Sequence, residues 1–467
     1  MKEKRDPTLF EALSTIIVLA IIIGIGFGVM GLAIQPLLLL AAAYAGFIAW
    51  RVGLSWREME EGVADLLKTV MPALYILLAV GIIIGTWIYS GTVPYLIYWG
   101  LQIIDPAYFL VSAFLLTAIV SVATGTAWGS VGTAGIALIA IALELDINVG
   151  MAAGAIISGG VFGDKMSPLS DTTNLAALVN RVNIYDHIRH MMWTTFPASI
   201  IGLIVWFIVG LQIDAGSADA PNVQELLSQL DTAFNFSLVM LLPILVIVIG
   251  AFKKYPIVPM MLLSSIVALF IGFLVNGFGF AHGFTSMIDG FNFEMISHIL
   301  PEPNENMQSL LNRGGIMSMT TIIVTILCGY AFAGMIEASG CLKIILEAIF
   351  SIVKSTAHLI SATVLASLVM VFTAGVASVV IIVVGTLMKD AFDEFGLERK
   401  NLSRTLEDAG TMVLPFIPWG TSGIYYTTLL DVSISQFLIW AIPCYLCVVF
   451  ALIYGWTGFG IAKKSHT

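Results

Sequence analysis

The sequence predicts an all-α polytopic membrane protein of two inverted repeats, each with a re-entrant hairpin and a broken helix, and about ten full crossings. Three observations carry this expectation. Of 467 residues, 59% are hydrophobic and 11% charged, and the mean hydropathy is +0.98. No soluble fold hides that much apolar surface. Two polar, proline-bearing stretches interrupt otherwise apolar segments. The landmarks of the first half also recur in the second at a nearly constant offset.

Composition sets further bounds. With charge so sparse, the net charge of −10 gives no reason to expect a nucleic-acid partner. The partner is the lipid bilayer. Cys328, Cys341, Cys444 and Cys447 lie in or beside apolar segments, with no disulfide framework or metal spacing, and Cys444-x-x-Cys447 reads as packing on one helix. No cofactor is expected. The basic stretch Met1–Leu13 precedes an apolar run too long for a signal-peptide core, so the first helix is read as retained.

Hydropathy places crossings at Ser14–Ile34, Pro36–Trp50 and Thr69–Tyr89. Pro94–Ile104 reads as an interfacial piece. Tyr108–Val122 and Val131–Leu143, each short for a full crossing, flank the polar tip 124–130 and form the first hairpin. Glu144 and Asp146 are assigned to an external loop. Val149–Asn180 is a broken span, followed by Thr194–Gln212, Phe236–Phe252 and Ile257–Asn276. Gly277–Arg313 is a polar connection. Ile316–Ile336 crosses, Leu342–Val353 repeats the interfacial piece, and Leu359–Val371 with Val379–Met388 flanks the second tip, 373–378. Leu406–Leu430 is the second broken span and Gln436–Tyr454 the last crossing.

Positive charge tests the layout. With the hairpins not crossing, 18 of the 20 Lys and Arg residues fall on the side of the two termini, and only Arg313 falls opposite. Lys165 lies within the broken span, and the acidic loop Asp214–Asp231 falls outside. The positive-inside rule then puts both termini in the cytoplasm. The chain divides into 1–68, an N-terminal helix pair with a cytoplasmic loop; 69–212, the first repeat; 213–315, connecting helices with an external loop; and 316–467, the second repeat.

The repeat is legible in short matches. Ser90-Gly91 and Ser339-Gly340 differ by 249, as do the tip threonines Thr124 and Thr373, and Pro168 and Pro415 differ by 247. An odd number of crossings separates the copies, so the second is inverted. Paired interrupted helices in inverted repeats point to a secondary transporter with its site near the midplane.

The chemistry sits in the interruptions. Pro168 removes a backbone donor and breaks its helix, which membrane depth tolerates only inside protein or beside a wet cavity. A charged side chain at the bilayer centre costs roughly 2.5–3.5 kcal/mol on insertion scales. Asp164, Lys165 and Asp171 therefore need partners, bound ions or water. The first half offers Thr124, Thr126, Asp164, Ser167, Ser170, Asp171, Thr172, Thr173 and Asn174; the second offers Thr373, Glu407, Asp408, Thr411, Thr421 and Ser422. Hard oxygen donors suit Na⁺ or H⁺ better than a transition metal. One carboxylate that holds either a proton or Na⁺ exchanges them by mutual exclusion. Asp171 is the first choice for that group, then Asp164, with Lys165 as its internal counter-ion; both aspartates are assigned to Na⁺. Asp408 ranks lower, because Arg404 four residues earlier offers a pairing at the cytoplasmic face. Trp128 and Trp419 read as pathway lining or packing. Half-helix N-termini at the breaks offer a place for an organic carboxylate, but no arginine lies in the predicted membrane core to clamp one.

Gly163-Asp-Lys-Met-Ser-Pro-Leu-Ser-Asp-Thr-Thr-Asn174 resembles the signature of the NhaC-type Na⁺/H⁺ antiporter family. Asn401–Gly410 and Pro415–Thr421 resemble its second-half motif, and the likeness runs from about Trp56 to Tyr454. The resemblance implies Na⁺/H⁺ antiport or exchange of organic acids such as malate and lactate coupled to H⁺ and Na⁺. It also implies an elevator-like movement of the hairpin region and a homodimer. The second tip, Thr373-Ala-Gly-Val-Ala-Ser378, carries fewer hydroxyl and aromatic residues than the first. Two other classes fit less well. An intramembrane aspartyl protease is suggested by Pro72-Ala73-Leu74, but Gly160-Val-Phe-Gly-Asp164 is one residue longer than the usual Gly-x-Gly-Asp and the repeat has no place in that mechanism. A passive channel does not call for paired, symmetric breaks.

Overall fold

A computed structural model describes residues 4–213, 221–253, 255–300, 307–308 and 311–464. The elements are helical, and one isolated bridge, Leu397 with Lys463, falls outside them. Among the described residues nine helices are long and apolar enough to cross a membrane, or ten if Val223–Ala233 and Leu238–Gly250, bent by 96°, form one span. The protein is a multi-span membrane protein.

The longest helix, Trp56–Tyr89, starts well before the predicted Thr69. Ser55 and Glu58 form a capping box that fixes its first turn. It runs antiparallel to Thr320–Ala338: a Cβ on Gly62 would lie 2.7 Å from Ala338 Cβ, and one on Gly81 2.5 Å from the Gly315 carbonyl. Only glycine permits that approach. The two helices end in the same way. Ser90 Oγ donates to Trp87 O at 3.1 Å and Ser339 Oγ to Ile336 O at 2.8 Å. Gly91 (φ +82°) and Gly340 (φ +75°) then turn the chain into Thr92–Ile103 and Cys341–Phe350.

Each hairpin folds at a left-handed glycine, Gly125 (φ +70°) between Phe109–Thr124 and Ala127–Glu144, and Gly375 (φ +67°) between Thr356–Ala374 and Ala377–Glu394. The arms are longer than the sequence indicated. Those of the first hairpin give spans of 19 and 18 residues, Pro106–Thr124 and Ala127–Glu144, because flanking residues extend each hydropathy peak into full helix. Glu144 is correspondingly not in a loop: it ends a helix and is buried.

Two connections also differ. The first part of the acidic loop, 214–220, lies outside the described residues, but Pro221–Ala233 is a helix. Val223, Leu226, Leu227 and Leu230 recur at helical spacing and are buried, a period that the acidic composition masked. The connection Gly277–Arg313 holds a helix, Phe280–Ile288, and a turn, Phe293–Ile296; 301–306 and 309–310 lie outside the described residues. Gly315 N–H donates to Gly81 O at 2.7 Å, so the connection packs on the long helix.

Candidate functional site

The first broken span consists of Val149–Met166, a gap at Ser167–Ser170, and Asp171–Val179. Its side chains repair the backbone that Pro168 disrupts. Thr173 Oγ1 donates to the carbonyls of Asp164 (3.4 Å) and Lys165 (3.3 Å). The Asn174 amide donates to Pro168 O (2.8 Å) and Ser170 O (2.6 Å). Ser170 Oγ caps the second half-helix, accepting from Thr173 N, and Ser167 Oγ donates to Val122 O at 2.8 Å. This is how irregular backbone is made tolerable away from water. Ser167, Ser170, Thr173 and Asn174 thus hold the break, and none of them lines the cavity described below.

The second span breaks differently. Lys400–Leu406 passes into a π-helical turn, Glu407–Thr411, then a 3₁₀ turn, Leu414–Phe416, before Thr421–Leu430. Thr421 N–H donates to Gly375 O at 2.9 Å, and Trp419 Nε1 to Phe372 O at 2.7 Å. Each hairpin is therefore tied to the break of its own half. A third tie crosses the halves: Trp128 Nε1 donates to Ser422 Oγ at 3.1 Å, and Tyr425, stacked on Trp128 with ring centroids 4.9 Å apart, donates to Trp128 O at 2.8 Å.

These elements enclose a cavity of about 240 Å³. The first tip gives Thr126 and Trp128, the first break Asp164, Asp171 and Thr172, the second tip Ser378, and the second break Thr411, Thr421 and Ser422. Thr69, Val70, Pro72 and Ile76 of the long helix close one wall. Asp164 is 7% exposed and Asp171 is exposed. Asp164 Oδ1 and Thr411 Oγ1 have no hydrogen-bond partner. Among the described residues, no lysine or arginine lines this cavity.

Besides the four residues that hold the break, Thr124, Thr373 and Asp408 also lie off it. Thr124 and Thr373 turn their hydroxyls back onto Val120 O and Val369 O, both at 2.8 Å. Asp408 is fully buried and pairs with Lys165, also accepting from Thr194 Oγ1 at 2.9 Å. This corrects two expectations. Lys165 is the counter-ion of Asp408 rather than of Asp164, and Arg404 does not pair with Asp408 but donates to Gly460 O at 2.8 Å. Arg404 itself is fully buried. The reason is topological: the two halves meet face to face, so residues 243 apart outcompete a neighbour one turn away.

Glu407, named in the sequence among the second-half oxygen donors but given no role there, is a further buried acid. It is fully buried and neither oxygen makes a hydrogen bond. An unpaired buried carboxylate charge costs far more than a buried carboxylic acid, so this geometry suits the protonated form. Its signal was present in the sequence as an acid one turn before Thr411.

Two discontinuous spans and two hairpin tips around one acidic cavity at the interface of the halves define the layout of a secondary transporter. The chain belongs to the Na⁺/H⁺ antiporter family, whose sequence profile matches residues 7–173 and 159–459. It is 39% identical over 460 residues to an uncharacterized Na⁺/H⁺ antiporter of Haemophilus influenzae, covering 98% of each chain. It is 35% identical to the Na⁺/H⁺ antiporter NhaC of Alkalihalophilus pseudofirmus, over 99% of this chain and 98% of that one. It is 36% identical to the malate-2H⁺/Na⁺-lactate antiporter of Bacillus subtilis, over 98% of this chain and 96% of that one.

Proposed function

We propose that this protein exchanges Na⁺ for H⁺ across the cytoplasmic membrane by alternating access, with Asp171 and Asp164 as the carboxylates that Na⁺ and protons share. One observation carries the reading: both aspartates and the hydroxyls of four interrupted elements face one cavity that no lysine or arginine lines. Thr126, Thr172, Thr411, Thr421 and Ser422 supply neutral oxygens around the acids. Sodium bound at the aspartates excludes protons from them, and protonation releases sodium. The cross-half tie from Trp128 to Ser422 lies where the cavity must rearrange if it opens alternately to the two sides.

Both termini are assigned to the cytoplasm. Lys4 pairs with Glu58, Arg5 and Arg51 share Glu11, and Lys464 pairs with Asp393, so each terminus is tied to a basic loop placed on that same side by the charge count. The antiparallel course of Trp56–Tyr89 and Thr320–Ala338 supports the inverted relation of the halves.

A second reading, Na⁺- and H⁺-coupled exchange of organic acids, is favoured by the malate/lactate relative. The acidic lining and the engagement of Lys165 by Asp408 weigh against an anion unless Na⁺ enters with it. Proteoliposomes holding a pH-sensitive dye separate the two. A Na⁺ pulse alone moves protons under the first reading. Under the second, movement requires malate outside and lactate inside.

A further inference from the structure

We infer that the cavity also accepts a small organic cation, an alkylguanidinium or a similarly permanent alkylated cation, in competition with Na⁺. The inference rests on the reading that this cavity is the cation site. A bare sodium ion needs only a shell of oxygens, but about 240 Å³ is room for several waters or a molecule of several heavy atoms. The walls are also mixed in a way that sodium does not require. Opposite chemistries meet there: Asp164 and Asp171 supply negative charge, while Val70, Ile76, Val161 and Leu414 supply apolar surface.

Small-molecule sites have this character, mostly apolar walls with a few placed polar groups. A guanidinium is planar and matches a carboxylate with two parallel hydrogen bonds. Trp128 and Tyr426, also in the lining, offer aromatic rings, which attract cations. An organic anion meets the reverse: two carboxylates and no basic group. Trp128 Nε1 is already engaged by Ser422 Oγ, so the polar edge of that ring does not compete for the ligand.

The test uses the full chain in proteoliposomes with an internal pH dye and guanidinium or n-propylguanidinium chloride as probe. Both remain charged throughout, so neither leaks as a free base. We expect each to raise the Na⁺ concentration needed for half-maximal proton flux without lowering the maximal rate. Propylguanidinium should act about tenfold more strongly than guanidinium, because its alkyl chain reaches the apolar wall. Sodium-driven flux that neither probe alters, or equal potency of the two, overturns the inference and leaves antiport standing. If Na⁺ moves no protons, the antiport reading fails instead, and melting in detergent then decides. A rise in Tm with propylguanidinium, absent in Asp171→Asn, upholds the organic-cation site. No rise overturns it as well.

Discussion

Lys165 and Asp408, 243 positions apart, form an ion pair in which neither side chain has any solvent exposure. Asp408 also accepts from Thr194, while its second oxygen, Oδ2, has no partner. The pair links the end of the first broken helix to the π-helical turn of the second, immediately behind the acidic cavity. With Lys165 held by Asp408, the cavity lining described above carries acids and hydroxyls but no basic side chain.

Removing one partner leaves an uncompensated buried charge. Lys165→Met or Asp408→Asn alone should lower stability by about 3–5 kcal/mol, whereas Lys165→Met with Asp408→Leu should recover most of it. Thermal unfolding of the purified variants in detergent checks this. Additive losses in the double variant would contradict the pairing.

The neighbouring acid should behave in the opposite way. Among the described residues the Glu407 carboxyl oxygens have no hydrogen-bond partner and no salt-bridge partner within 4.0 Å. If it carries a proton, Glu407→Gln swaps one neutral group for another of like shape and should cost under about 1 kcal/mol. Comparing its unfolding with that of Asp408→Asn tests this directly. A loss as large as that of Asp408→Asn would mean that Glu407 is charged and held by a partner.

The first hairpin turns where only glycine fits. At Gly125, φ is +70° and a Cβ would lie 2.6 Å from Leu169 Cβ and 2.7 Å from Leu169 C. Gly396 also has positive φ (+65°), but nothing lies within 4 Å of its Cβ position. Gly396→Ala should show only the backbone cost, about 1 kcal/mol, and Gly125→Ala should cost more and slow exchange at least severalfold. Flux assays on the two variants, normalised to incorporated protein, separate packing at the break from conformational strain. Equal flux in both would show that the tip does not need its close seat on the break.

A pH effect is expected outside the membrane. Arg399, with Lys464 adding to it, holds the Asp393 carboxyl below its usual range. A depressed native value means that the contact stabilises fully above the unfolded value of about 3.9 and fades as the pH falls through the native one. Asp393→Asn should therefore lower Tm by a constant amount near neutrality. That difference should shrink below about pH 4. Hydrogen exchange at 460–464 should rise in the variant, because Lys464 N–H also bonds Gly396 O in this strap.

The membrane class, the two breaks and the meeting of tips and breaks were legible because proline, glycine and charge stand out against apolar sequence. Partnership was not. Hydropathy ranks Lys165 beside Asp164, and helical spacing offers Arg404 to Asp408, but the observed pair joins distant halves. The division between residues that line the cavity and those that repair the break was equally hidden. Thr172 and Thr173 are adjacent and alike, yet one faces the cavity and the other caps carbonyls. The helix Pro221–Ala233 was missed because its acids were weighed before its period.

The central claim is that Asp171 carries the exchanged cation, and its most direct test is Na⁺-driven proton flux in proteoliposomes of wild type and Asp171→Asn. Asp171 is exposed in the cavity, so its amide should leave expression and melting close to wild type. The account predicts proton movement on a Na⁺ pulse in wild type and none in the variant. Undiminished Na⁺-driven proton flux in Asp171→Asn would contradict it.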